Sequence, residues 1–286
     1  MQSFILICTL CAIFTVKSIV LSHLGKNKFG SITDGILING LIFLFAFGFF
    51  SPNITGASLP TVLCGITLGG LSVLYQLAYL NALSAGPLSL TGLVNNLAMV
   101  VPIAVSAIFF NESMSVFRML GIALTIAALI INAKADDVAD ITKKWFIAIS
   151  LSFTANGLVA STTKVYSHNF GGGESLAFVA CSYLTAAVLS AIVYLVLSLR
   201  NKKRTVRLSP SVFVFTALVG LLLGGFQSLY TYSSSVIDGT LLFPAYNGGS
   251  TLLVTLSGIL IYKEKLTKRQ WFGVLVGAIA ILLMCL

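Results

Sequence analysis

Apolar runs close to membrane-spanning length recur about ten times along this chain, and that recurrence constrains its fold more than any other feature. The runs are Gln2–Ser22, Gly35–Ser51, Pro60–Leu83, Ser89–Phe110, Arg118–Ala133, Trp145–Tyr166, Leu176–Leu199, Ser211–Ser234, Leu241–Tyr262 and Trp271–Leu286. A helix needs about 20 mostly apolar residues to cross a bilayer. Only tight polar gaps separate the runs, such as "SAGP" at Ser84–Pro87. Composition points the same way: 57% of the 286 residues are hydrophobic and 9% charged, with mean hydropathy +1.01. A soluble domain carries roughly a quarter charged residues. The expected fold is an all-α membrane protein of ten transmembrane helices, with no soluble domain.

The net charge of +9 sits in the gaps between runs. With ten crossings, one side collects Lys26, Lys28, Lys134, Lys143, Lys144, Arg200, Lys202, Lys203, Arg204, Arg207, Lys263, Lys265, Lys268 and Arg269. The other side holds Arg118 alone. Basic loops face the cytoplasm, so both termini are expected outside, in a multi-pass protein of the inner membrane. Aromatic residues interleave with apolar residues and not with bases, which argues against nucleic acid. The first run lacks a basic start and a small-residue cleavage pattern, and so reads as a retained helix. The cysteines Cys8, Cys11, Cys64, Cys181 and Cys285 all lie in apolar runs and read as packing residues. No metal or cofactor set is expected.

Two stretches end an apolar run in the same way: "AIFFNESMSVFRMLG" (107–121) and "GILIYKEKLTKRQWFG" (258–273). At an offset of 152, Asn95 pairs with Asn247, Glu112 with Glu264, Gly121 with Gly273, and Ala128 with Ala280. Upstream, Leu68–Gly86 echoes Leu223–Gly239. The chain therefore divides into a first five-helix repeat (1–133), a charged connecting loop (134–144) and a second five-helix repeat (145–286). Five is odd, so the second copy enters the membrane from the opposite side. Inverted pairs of this kind are associated with transporters, whose sites lie near the midplane.

With Tyr75 and Tyr230 late in each third helix, "FFNE" and "YKE" closing each fourth, and a glycine-rich fifth, the chain resembles the drug/metabolite transporter superfamily, EamA type. The resemblance covers nearly the whole chain and implies a ten-helix carrier with a central cavity. Lys17 also fits that family's lysine late in the first helix, although the Trp-Gly pair often found there is absent.

The candidate substrate-binding residues are Lys17, Tyr75, Gln76, Tyr79, Asn95, Asn96, Gln227, Tyr230, Tyr246 and Asn247. An embedded lysine is costly unless it faces protein or water. Snorkelling to the interface is the competing reading for Lys17 and the favoured one for Lys164, a secondary candidate. Tyr75 and Tyr79 share one helix face. Glu112 and Glu264 are expected to end helices or to pair with nearby bases. Pro102 and Pro244 are expected to bend the fourth and ninth helices. All eight acidic residues lie in loops or at helix ends, so a deep carboxylate for exchanging organic cations is missing. The histidines, His23 and His168, lie near helix ends, which argues against intramembrane hydrolysis.

These features lead to a gradient-driven or facilitative carrier that exports amino-acid-like or other anionic metabolites. A sugar or nucleoside carrier or a multidrug exporter is the alternative, and a channel comes lower. The expected partners are a small-molecule substrate and membrane lipid; a homodimer stays open.

Overall fold

A computed structural model describes residues 2–28, 32–132, 142–170, 173–201, 210–263 and 267–284. All regular structure among them is helical: α1 (Gln2–Lys28), α2 (Ile32–Phe50), a 3-10 turn (Ser51–Ile54), α3 (Leu59–Ala85), α4 (Leu88–Leu97), α5 (Val100–Phe109), α6 (Val116–Asn132), α7 (Lys143–Phe170), α8 (Ser175–Asn201), α9 (Pro210–Val236), α10 (Gly239–Tyr262) and α11 (Lys268–Met284). In hydrocarbon every backbone polar group needs an internal partner, which favours this outcome. Several of the hydroxyls within the runs are satisfied in the same way, each donating to the carbonyl four residues back: Thr15 to Cys11, Ser72 to Leu68, Thr125 to Gly121, Ser161 to Gly157.

Seven spans are long and apolar enough to cross a membrane: α1, α2, α3, α4 with α5, α7, α8 and α9. That differs from the ten read from the sequence. Helices α6 and α11 have 17 residues each, and Tyr246, Asn247, Gly248 and Gly249 interrupt the apolar run of α10. Large apolar side chains cover the outer surface, including Phe109 (74% exposed), Leu199 (81%) and Leu260 (77%). Apolar exposure on this scale marks a membrane-facing or interaction surface. The fold is all-helical and compatible with a membrane protein.

The fourth run is broken. Helix α4 stops at Leu97 and α5 begins at Val100, with Ala98 and Met99 between. Pro102 has no N–H to give the carbonyl of Ala98, which instead accepts from Val101 N at 3.1 Å. At Pro102 the expected bend is met by a break in the helix one turn upstream of the proline, whereas Pro244 leaves α10 continuous from Gly239 to Tyr262.

Helix α3 packs on α7 and α8, α2 on α8 and α9, α1 on α9 and α10, and α6 on α11; α5 touches α7 and α10. One core joins α2, α3, α7 and α8 around Phe43, Tyr166 and Phe178, and a second joins α1, α5, α9 and α10 around Leu10, Tyr230 and Phe243. Glycines permit close approach on both sides of this packing. A Cβ on Gly65 would stand 2.7 Å from Cys181 Cβ of α8, and one on Gly220 2.8 Å from the Ile42 carbonyl of α2.

Candidate functional site

Lys17 lies on α1, one turn beyond Phe14, so ammonium and ring share a face. Its Nζ stands 4.4 Å from the Phe14 ring centre and 5.5 Å from that of Phe226 on α9. Phe226 stacks on Tyr230 at 5.4 Å and lies 5.4 Å from Tyr246 of α10, and Phe14 meets Tyr246 edge-on at 5.7 Å. Three helices thus build one aromatic nest around a half-buried cation. Among the described residues that ammonium has no carboxylate and no hydrogen-bond acceptor. Cation–π contact is worth about 0.5–2 kcal/mol, less than a lysine held in apolar surroundings costs.

A second group forms at the break of the fourth run. Asn95 Nδ2 donates to the Tyr75 hydroxyl at 3.3 Å, and Asn95 Oδ1 accepts from Ser152 Oγ and from Asn156 Nδ2, each at 3.4 Å. Asn156 also donates to the Asn95 carbonyl at 3.1 Å, so one asparagine ties α3, α4 and α7 together. Tyr79 stacks on Tyr75 at 5.7 Å, and Tyr230 meets Tyr246 edge-on at 5.6 Å.

Other sequence candidates point elsewhere. Gln76 accepts from Asn39 of α2 at 3.4 Å, and Gln227 donates to Thr163 of α7 at 3.1 Å. Asn247, which pairs with Asn95 at the sequence offset of 152, donates to the Phe243 carbonyl of its own helix at 2.9 Å. Asn96 is half-buried, and its carbonyl accepts from Met99 N at 3.3 Å in the break. Glu264 lies outside the described residues. Sequence reasoning passed over Phe14, Phe226, Ser152 and Asn156. For Asn156 a signal existed, since an amide inside an apolar run needs a partner; for the phenylalanines there was none.

The embedded Lys164 does not snorkel, which corrects the expectation for it. It is 3% exposed, and its Nζ stands 2.6 Å from Glu112 Oε1 while donating to the Ser234 carbonyl at 3.0 Å and the Ile237 carbonyl at 3.2 Å. Helix α7 runs on to Phe170, four residues past the expected Tyr166, which keeps Lys164 more than a turn from its end. Glu112 does pair with a base, as expected, but the base comes from α7. Its Oε2 also accepts from Thr240 N at 3.2 Å, in the first turn of α10. Beside this cluster Arg118 Nη1 meets Asp238 Oδ2 at 2.9 Å and donates to Thr240 Oγ1 at 3.1 Å. Another acidic side chain, Asp34, is buried in the first turn of α2 at 4% exposure.

At the same end of α7 a second carboxylate ties two loops. Glu174 Oε2 accepts from Ser58 N at 3.0 Å and Ser58 Oγ at 2.9 Å, at the start of α3. Hydrogen bonding from Thr61, and then from Ser58, holds its carboxyl below the ordinary value of 4.5. An apolar groove of about 590 Å³ lies laterally between α1, α10 and α11, lined by Phe4, Cys8, Cys11, Leu253 and Ile281 among others. None of the polar candidates lines it. Cys11 packs there as expected, its thiol 3.7 Å from the Tyr246 carbonyl.

No family model matches the chain. It is 22% identical over 190 residues to an uncharacterized protein of Haemophilus influenzae, a match covering 65% of this chain and 62% of that relative. The chain thus spans less than two thirds of that relative's length. A protein of known crystal structure shares the fold, with a TM-score of 0.80 at 16% identity over 99% of this chain and 96% of the other.

Proposed function

We propose that the chain is a secondary transporter of small anionic metabolites, working by alternating access between two inverted five-helix repeats. The observation that carries this reading is the Lys17 ammonium, faced by aromatic rings and by no acidic group among the described residues. A ligand carboxylate or phosphate in the nest would complete an ion pair, beside the rings of Tyr230 and Tyr246 that pack on Phe226. Charges at this depth mark substrate paths more often than they stabilise a bundle.

Helix pairing supports the inverted repeat. Exchange each helix with its mate, α1 with α7, α2 with α8, α3 with α9, the α4–α5 pair with α10, and α6 with α11. The packing of α3 on α7 then becomes that of α9 on α1, and α3 on α8 becomes α9 on α2. The pairs α2 with α8 and α6 with α11 map onto themselves. Gly65 and Gly220, 155 residues apart, also exchange, each admitting the mate of the other's neighbour.

On this reading all ten helices span the inner membrane, and the loop charges put both termini outside. The resemblance to the EamA-type drug/metabolite transporters favours export of amino-acid-like or other organic anions. The absence of a carboxylate from the nest disfavours organic cations.

The test is a thermal-shift screen of the purified protein against amino acids, other organic anions and sugars, followed by uptake into proteoliposomes. Anions are expected to stabilise the wild type. Lys17→Ala is expected to weaken that binding at least tenfold, since an ion pair at 4 Å contributes up to about 4 kcal/mol at an effective dielectric of 20. Unchanged affinity in that variant would return Lys17 to the role of interface anchor. Stabilisation by sugars alone would favour the sugar carrier.

A further inference from the structure

Three buried hydroxyls, Ser106 Oγ, Ser233 Oγ and Ser234 Oγ, have no hydrogen-bond partner among the described residues. Buried polar groups are normally paired, so each asks for an explanation. All three border the Glu112–Lys164 cluster. Ser106 on α5 abuts Gly239 at the start of α10, and its carbonyl accepts from Glu112 N at 3.4 Å. Ser233 and Ser234 lie in the last turn of α9, where the Ser234 carbonyl holds Lys164.

We infer that Glu112 is a proton-binding group whose protonation opens this end of the bundle and exposes the three serines to water. An ammonium has three N–H donors, and Lys164 directs contacts to three acceptors, of which only Glu112 is charged. This one bond network closes α7 against the α9–α10 turn and against the segment after α5. Opening must part Lys164 from Glu112. A carboxylate that has lost its cation inside an apolar wall is favoured in the neutral form. A proton from water at that end, taken up on Oε1, neutralises Glu112; Lys164 keeps its charge and is hydrated beside the serine hydroxyls. Because proton uptake is tied to the parting of the Glu112–Lys164 pair, acid shifts the population towards open.

Besides Lys164 itself, three other charged or titratable groups lie beside Glu112. They are His168 from α7, Arg118 from α6 and Asp238 from the α9–α10 turn. Arg118 and Asp238 neutralise each other on the outer side. His168 stacks on Phe110 with ring centres 4.1 Å apart. Histidine changes charge in the same acid range, so its contribution is separated in the test.

The inference rests on the alternating-access reading, but opening can be measured without transport. In the detergent-purified full chain carrying Ser84→Cys and Ser234→Cys, maleimide labelling is followed site by site by peptide mass spectrometry. Ser84 is exposed and serves as the internal reference for thiol reactivity at each pH. The ratio of labelling at position 234 to that at position 84 is expected to rise at least tenfold from pH 7.5 to pH 5.5. Glu112→Gln is expected to give a high ratio at both values, and His168→Gln to keep the rise. A flat wild-type ratio, a rise that survives Glu112→Gln, or a rise abolished by His168→Gln would overturn the inference. Should Glu112→Gln fail size-exclusion, Lys164→Gln breaks the same bond from the other side and is expected to label quickly at pH 7.5; slow labelling there would also overturn it. Failure of proteoliposome uptake with the labelling pattern intact would count against the transport reading alone.

Discussion

Glu112 and Lys164 offer a double-mutant cycle whose size follows from their surroundings. Both side chains are nearly enclosed, at 9% and 4% exposure, and only 2.6 Å separates the charged atoms. Removing one member of a buried pair costs about 3–5 kcal/mol, most of it from the charge left behind. Glu112→Ala strands an ammonium that still has two carbonyl acceptors, which places its loss near 3 kcal/mol, the low end of that range. Lys164→Ala strands a carboxylate that keeps Thr240 N at 3.2 Å, and a similar loss of about 3 kcal/mol is expected. In the double variant no charge is stranded, so its loss is expected near 3 kcal/mol and not near 6, a coupling of about 3 kcal/mol. The assay is reversible denaturation in mixed micelles, followed by helical circular dichroism, for wild type, both singles and the double. Losses that add to within about 0.5 kcal/mol would show that the two groups do not share a dry environment, and the reasoning would fail.

Two further outcomes can be checked in the same preparations. Asn95→Leu removes the three side-chain bonds to Tyr75, Ser152 and Asn156 that join α3, α4 and α7, and at about 0.6 kcal/mol for each interhelical bond the expected destabilisation is about 2 kcal/mol, read as a lower denaturation midpoint. Glu174 has a folded-state value held below 4.5, so its contribution is present above that pH and is lost as pH falls through the lowered value. The midpoint for Glu174→Gln should therefore vary less between pH 5 and pH 3 than that of the wild type. An identical slope would show that the caps from Ser58 and Thr61 are not formed.

The helices were legible because apolar length alone decides them: all ten runs appear as helix, with ends within four residues of expectation except for α1, which continues six residues past Ser22 to Lys28. That Lys17 and Lys164 lie inside apolar runs was legible as well. Direction around the helix axis was not. Asn95 and Asn247 occupy matching places in the repeat, yet one bridges three helices and the other serves its own backbone. No local pattern distinguishes them, because the difference lies in what the neighbouring helix presents: Ser152 and Asn156 lie opposite Asn95. The same limit hid the Glu112–Lys164 bond, whose members are far apart in sequence and meet only once α7 returns beside α5. The break at Ala98 was half legible, since the proline announced a fault and left its position to the carbonyl one turn back.

The hydroxyls that bond back into their own helices set how the bundle can move. Thr15, Ser72, Thr125 and Ser161 give no polar link to a neighbour, so those positions add nothing to the resistance against sliding of one helix past the next. Resistance is concentrated where polar bonds do cross, as at Asn95 and Lys164. Such a molecule behaves as stiff rods pinned at a few rivets: small motions pivot about the rivets and leave them whole, and a full opening has to release one.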